Sequence, residues 1–309
     1  MNIDSNKQLE TNIVIPERIQ LESVHGCNAR CTMCPVHLPS ERKKGVMSFD
    51  LFKYIVDEML PYKDQITKFD LWGLGEPLLD KNLVKKIQYA KDMGFQNLAI
   101  ATNADLLDSE TTTKIFQARL DTIIFSIDGT TKEIHESIRL KTNFSRIIEN
   151  TNNAILIRNE NNFKTRFVFR FIRQDINKDE WHAYKDYWEK RISKQKGDII
   201  IGYDMHTWGG ELSDADTILN KQKIPDDISC HHLFDRLIIL WDGTVPMCCA
   251  DLHHARYRFG NVLNMSPINV FNSTKIQKFR IIHNSGKRKN MELCKKCSIL
   301  ESELSQEIK

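Results

Sequence analysis

Along the first two thirds of the chain, short apolar runs alternate with longer stretches whose apolar residues recur at helical spacing. The short runs predict strands at Ile19–Val24, Ile66–Gly73, Asn97–Asn103, Thr122–Asp128, Thr165–Ile172 and Asp198–Met205. The longer ones predict helices over Ser48–Leu60, Asn82–Met93, Ser109–Leu120, Phe144–Asn159 and Lys178–Arg191. Asn143 stands where an N-cap belongs. Trp181, Tyr184 and Trp188 share one helix face and predict core packing. Strands and helices in βα order imply a parallel sheet covered by helices. Six units fall short of a closed eight-fold barrel, so the expected fold is α/β, an open, partial (β/α)6 TIM-like barrel. In such barrels the site gathers at the C-terminal ends of the strands.

After about residue 210 the alternation weakens. Gly209–Pro225 reads as a loop with some polar helix, and a domain boundary is expected within 215–225. Beyond it, Leu237–Trp241 and Val245–Met247 are expected to pair across Asp242-Gly243, a strong hairpin signal. A last helix is expected over Ser273–His283. The expected organisation is an N-terminal segment 1–18, a barrel 19–215 and a small C-terminal domain 216–309. That last portion is short and polar, and a metal centre would help hold it together.

Composition narrows the function class. The chain has 309 residues, 41% hydrophobic and 28% charged, with a net charge of +3. So small a charge calls for neither nucleic acid nor a membrane surface. The polar N-terminus carries no signal peptide, and no apolar run reaches the ~20 residues of a membrane span. A cytoplasmic location is expected. In a reducing compartment, eight cysteines point to metal binding or catalysis rather than disulfides.

Those cysteines sort into three, four and one. Cys27, Cys31 and Cys34 lie in HGCNARCTMCP, directly after the first strand. Four-iron clusters normally take four thiolates, so a compact set of three suggests a cluster with one open iron, able to bind a small molecule. Cys230, Cys248, Cys294 and Cys297 suggest a second, closed cluster, and Cys249 is left over. A zinc knuckle is the alternative for the first set, with His25 or His37 as fourth ligand. A rubredoxin-type iron or a zinc ion is the alternative for the second.

The C-x3-C-x2-C spacing resembles the signature of the radical S-adenosylmethionine (radical SAM) superfamily, and further motifs follow in that family's order. WGLGEP resembles its GGEP motif, with Gly75, Glu76 and Pro77 matching and Leu74 in place of the first glycine. ATNAD resembles the TNG segment near the SAM ribose. Thr102 and Asn103 match, and Ala104 replaces glycine. Ser126 of SIDG and the following Arg139 resemble the family's SAM contacts, Arg139 pairing with the carboxylate. Met33 stands where an aromatic residue often covers the adenine. The pattern C-x12-G-x4-C…C-x2-C, through Cys230, Gly243, Cys248, Cys294 and Cys297, resembles the SPASM or shorter twitch extension. A full SPASM domain carries seven cysteines for two auxiliary clusters, and this chain has enough for one. The resemblance spans residues 19–300.

It implies two [4Fe–4S] clusters, one binding SAM and one auxiliary, and a flavodoxin- or ferredoxin-type reductant. It implies reductive cleavage of SAM and removal of a hydrogen atom from an unreactive C–H bond. Dehydrogenation follows if the substrate radical loses an electron and a proton. Epimerisation follows if it receives hydrogen on its other face, and Cys249 is the candidate donor. The G-x4-C spacing favours Cys248 over Cys249 as the cluster ligand. Asp204, His206 and Trp208 after the sixth strand, and Asp251, His253 and His254 after the cysteine pair, are candidate substrate contacts, and Arg170 and Arg173 near the fifth strand are candidates to reach a charged substrate. Only residues 1–18 precede the first strand, so no leader-peptide domain is expected there. That favours a small polar substrate such as a sugar, aminoglycoside or aminocyclitol. Peptide maturation is the alternative, and a non-catalytic electron-transfer protein a remote one.

Overall fold

The computed structural model describes residues 13–212 and 224–308. The expected domain boundary falls almost wholly between these segments, outside the described residues.

Six parallel strands form where the apolar runs predict them. They are β1 (Arg18–Leu21), β2 (Lys68–Asp70), β3 (Leu98–Thr102), β4 (Thr122–Ser126), β5 (Arg166–Arg173) and β6 (Ile199–Asp204). β1, β2, β3, β4 and β6 end short of their predicted C-termini, whereas β5 runs one residue past its own, to Arg173. Two strands from the C-terminal third complete the sheet: β7 (Arg236–Ile239) and β8 (Glu307–Ile308). The order is β7-β1-β2-β3-β4-β5-β6-β8, parallel throughout except for the antiparallel β8. The architecture is an open TIM-like barrel of α/β class.

The helices follow local chemistry. Ser48 caps Phe49–Met59 by accepting the Leu51 amide at 3.1 Å, and that helix buries Leu51, Phe52, Ile55, Val56 and Met59. Asn143 caps Phe144–Glu160 by accepting the Arg146 amide at 2.9 Å, as its position predicts. Trp181, Tyr184 and Trp188 are buried, and Trp188 stacks on Phe169 of β5 at 4.3 Å between ring centroids. A helix at Lys132–Ile138, capped by Thr131, was not foreseen from the sequence.

The hairpin expectation needs correction. The turn exists: Leu240 N–H donates to Thr244 O at 2.8 Å, and Gly243 takes φ +85°. Its two arms nevertheless find other partners. β7 runs parallel to β1, Arg18 opposite Arg236 and Leu21 opposite Ile239. Thr244–Val245 pairs antiparallel with Gly260–Asn261. Leu237 and Ile239 are fully buried in the barrel core, and covering the edge of β1 gives them a place there that a two-stranded ribbon would not.

Candidate active site

The loop after β1 is held from both sides. Val24–His25 pairs with Gly45–Val46, Gly26 bridges Gly75, and Arg30–Cys31 pairs with Arg139–Leu140. The last contact sets Cys31 opposite Arg139, whose Nη1 lies 3.6 Å from Cys31 Sγ. Asn103 Nδ2 lies 3.8 Å from Cys27 Sγ. Burial pushes the Cys27 and Cys34 thiols up to about 12, with help from Glu76 at Cys27 and from Cys31 at Cys34. Backbone amides oppose this, from Ala29 to Cys27 and from Val36 to Cys34. His232 and Ile299 do the same for Cys230 and Cys297, so in all four cases the amide lies two residues beyond its cysteine. Amides aimed at sulfur favour the thiolate that an iron site requires.

The C-terminal thiols also converge. Burial raises Cys230, Cys248 and Cys297, and repulsion from Cys249 adds to it in each case. Among the described residues, neither set brings three sulfurs within 4.8 Å of one another. A single tetrahedral zinc at about 2.3 Å from each thiolate would hold them roughly 3.8 Å apart. The spacing seen among these thiols does not fit a single ion held by three of them. His25 and His37 are turned elsewhere. His25 Nδ1 faces Glu22 at 3.3 Å, and His37 Nε2 meets the Ala29 carbonyl.

A cavity of about 350 Å³ opens at this end of the barrel. Its wall includes Cys27, Cys31, Met33, Cys34, Gly75, Glu76, Thr102, Asn103, Ser126 and Arg139. Glu76 knits two loops, its Oε1 accepting the Leu78 amide at 3.1 Å and its Oε2 the Asn103 amide at 2.9 Å. Burial pushes its carboxyl up to about 7 against these bonds. Pro77 is buried and begins a 3-10 turn outside the cavity. Ser126 Oγ accepts from Arg170 at 2.5 Å, and Arg139 pairs with Asp128 at 2.6 Å. Ala104 takes φ +61° where the family motif has glycine.

Cys249 lines the cavity, whereas Cys230, Cys248, Cys294 and Cys297 do not. Among the substrate candidates, His206 and Trp208 reach it. Burial lowers His206 to about 4, and Trp208 Nε1 donates to the Met33 carbonyl at 2.9 Å. The other four point elsewhere and correct the sequence reading. Asp204 pairs with Arg173 at 2.8 Å. Asp251 accepts the Met247, Arg256 and Tyr257 amides at 3.3, 2.7 and 3.0 Å, organising its own loop. His253 faces the Pro39 carbonyl at 3.2 Å and His254 faces Glu211 at 3.1 Å. Arg170 lines the cavity, and Arg173 does not.

Further polar and aromatic cavity residues were missed, among them Arg18, Gln20, Trp72, Tyr203, His232, Arg236 and Glu303. Arg18 was findable, since strict alternation in Arg18-Ile19-Gln20-Leu21 puts two polar residues on the face opposite two core residues.

The radical SAM superfamily model matches residues 21–169, and an iron–sulfur cluster-binding domain of SPASM type matches residues 230–298. The chain belongs to the radical SAM superfamily and carries an SPASM-type domain. The cofactors of that class are S-adenosylmethionine and [4Fe–4S] clusters, and the thiol sets and the cavity fit them. An AdoMet-dependent heme synthase of Methanosarcina barkeri (strain Fusaro / DSM 804) is 30% identical over 124 residues, 40% of this chain and 34% of that protein. A probable GTP 3',8-cyclase of Saccharolobus solfataricus is 25% identical over 176 residues, 54% of this chain and 56% of that one. The alignments thus span about a third to just over half of these relatives' lengths. In fold, the chain is similar to BtrN in complex with AdoMet and 2-DOIA (TM-score 0.63, 18% identity, covering 92% of this chain and 93% of that one). It is also similar to Streptococcus suis SuiB bound to precursor peptide SuiA (TM-score 0.64, 14% identity, 94% and 71%). No helix among the described residues is long and apolar enough to cross a membrane.

Proposed function

We propose that this chain is a radical SAM enzyme acting on a small polar molecule, a sugar, aminoglycoside or aminocyclitol, and that it epimerises one carbon centre. The observation that carries the reading is the shared cavity, which Cys27, Cys31, Cys34 and Cys249 all line. When bound, the cluster and SAM supply a radical able to remove a hydrogen atom from an unreactive C–H bond. Cys27, Cys31 and Cys34 would hold that cluster, and Cys230, Cys248, Cys294 and Cys297 the auxiliary one. Arg139, fixed beside Cys31 by the short ladder, would receive the SAM carboxylate. Gly75, Glu76, Thr102, Asn103 and Ser126 would shape the rest of its seat, with Met33 against the adenine.

Cys249 would then return a hydrogen atom to the opposite face of the substrate carbon. Its S–H bond breaks as the new C–H bond forms, and one electron from a flavodoxin- or ferredoxin-type reductant together with one proton from solvent restores the thiol. Burial raises the Cys249 thiol above its ordinary value. Dehydrogenation is the second reading, supported by the likeness to BtrN with its small molecule. There the substrate radical loses an electron and a proton, and Cys249 is a bystander. The likeness to SuiB supports peptide modification as the alternative.

Anaerobic reconstitution with iron and sulfide, followed by reductant and SAM, tests the class. Wild-type protein should yield methionine and 5′-deoxyadenosine, and absence of cleavage in fully loaded protein would refute it. With a turned-over substrate in D2O, wild type should place one deuterium at the epimerised carbon. Cys249→Ala should still cleave SAM but give no epimer. An unchanged rate of labelled product from Cys249→Ala would exclude the donor role.

A further inference from the structure

The floor of the cavity is made by strand-interior side chains that neither the SAM motifs nor Cys249 accounts for. Arg18 and Arg236 are register partners on β1 and β7, so they enter the cavity side by side. Arg18 and Arg170 flank Trp72, with their guanidinium carbons 5.9 and 5.8 Å from its ring centre. The charges on this floor do not balance. Arg18 is neutralised by Asp70 and Arg139 by Asp128. Arg170 binds only the Ser126 hydroxyl, and Arg236 only Gln20 Oε1 at 3.5 Å, among the described residues. The Nε atoms of both, and the indole Nε1 of Trp72, are buried without a hydrogen-bond partner. The facing carboxylate, Glu303, lies 2.9 Å from His232 and 3.2 Å from His231, and its charge also acts on Arg236, which leaves Arg170 as the floor cation without a paired carboxylate among the described residues.

A guanidinium removed from water without an anion is strongly unfavourable, and planar guanidinium forks match oxyanions in geometry. We infer that this floor binds an oxyanion carried by the substrate, a carboxylate or a phosphoryl group, through Arg170, Arg236 and the Trp72 indole N–H. This rests on the cavity being the substrate chamber of a radical SAM enzyme. It narrows the substrate class to acidic small molecules, such as a sugar phosphate or a sugar acid. It disfavours polycationic aminoglycosides, which the same arginines would repel.

The test is calorimetric titration of inorganic phosphate and of acetate into the anaerobically reconstituted, SAM-loaded protein, against chloride at matched ionic strength. Saturable binding of one equivalent of phosphate is expected for a phosphoryl group, and of acetate alone for a carboxylate. Arg236→Gln should weaken it about tenfold or more, the loss of one charged hydrogen-bond donor, and Arg236→Lys by much less. No binding above chloride in the wild-type protein, or equal binding by Arg236→Gln, overturns the inference. So does anion binding that occurs only without SAM, because the site would then be that of the SAM carboxylate. The wild-type titration decides even if Arg236→Gln does not fold. Reductive SAM cleavage, measured on the same sample, separates the two claims. Cleavage without anion binding sinks this inference alone, whereas anion binding without cleavage leaves an oxyanion site but removes the radical SAM substrate it was assigned to.

Discussion

Gly75→Ala perturbs the bridge between the loop bearing the first three cysteines and the GEP segment. A Cβ on Gly75 would sit 2.2 Å from the Val24 carbonyl oxygen and 2.6 Å from that of Gly26. Both neighbours are backbone, so no rotamer change relieves the contact. Separation would stretch two hydrogen bonds, Gly26 N–H to Leu74 O at 3.3 Å and Glu76 N–H to Gly26 O at 2.9 Å. Overpacking of this kind costs ~1–3 kcal/mol, and each backbone bond contributes about 1 kcal/mol net. The combined loss is therefore ~3–5 kcal/mol, or a fall in melting temperature on the order of 10 °C for a chain of this size. The assay is anaerobic thermal unfolding of the reconstituted protein followed by circular dichroism, with equilibrium binding of SAM alongside. SAM affinity should drop as well, because Glu76 and Asn103 move with the displaced strand. A melting temperature within 1–2 °C of wild type, about a tenth to a fifth of the expected shift, would show that the loops are not locked at this bridge.

Leu74→Ala removes a buried side chain and should cost ~2–5 kcal/mol in chemical unfolding. Lys86 is fully buried and bonded to Asp80 and the Met47 carbonyl, both at 2.5 Å, so Lys86→Met, which strands Asp80, should destabilise by ~3–5 kcal/mol by the same measurement. His135 is buried and depressed to about 3, first by burial and then by Arg139. The unfolded chain therefore binds one more proton than the folded one between about pH 3 and 6.5. Stability from the neutral ring is complete above pH 6.5 and declines as pH falls, by ~1.4 kcal/mol at pH 5.5. Unfolding of His135→Gln across that range should show a pH slope smaller by one proton, and an unchanged slope would refute the assignment. Replacing Cys230, Cys294 and Cys297 together by Ala should lower iron and sulfide by about four each per chain. Replacing Cys249 alone should leave both unchanged.

Much of the fold could be read from pattern alone, because strand and helix periodicity are local properties. The six βα units, the Asn143 cap and the aromatic core face of Trp181, Tyr184 and Trp188 are of that kind. The parallel pairing of β7 with β1 was not legible, since it joins residues more than two hundred positions apart and the Asp-Gly turn supplies a plausible local alternative. The site divides in the same way. Three thiols with tight spacing announce themselves. Asp204 and Asp251 look like substrate ligands in a list of polar residues after a strand, but one neutralises Arg173 and the other caps three amides. Only packing shows which buried carboxylates are already committed.

Leu74 shows what such packing adds to a motif. As a departure from GGEP, Leu74 would be neutral if its backbone alone mattered. Its side chain is 1% exposed and packs with Val36, Ile238, Leu240, Leu252 and Ala255. Around the margin of that cluster lie Cys27 and Cys34 from the first thiol set, Trp208 beside the cavity, and Cys249. One apolar patch thus spans the loop after β1, the end of β7 and the turn that carries the cysteine pair. A shift at Leu74 moves the radical-generating wall and the proposed hydrogen-donor wall relative to each other. Hydrogen return depends on near-contact geometry, and displacement of about 1 Å costs on the order of a hundredfold in rate. Leu74→Ala should therefore lower product formation more than SAM cleavage, which needs only the first wall. Equal losses in the two would mean that the patch holds the fold together without setting the distance between its walls.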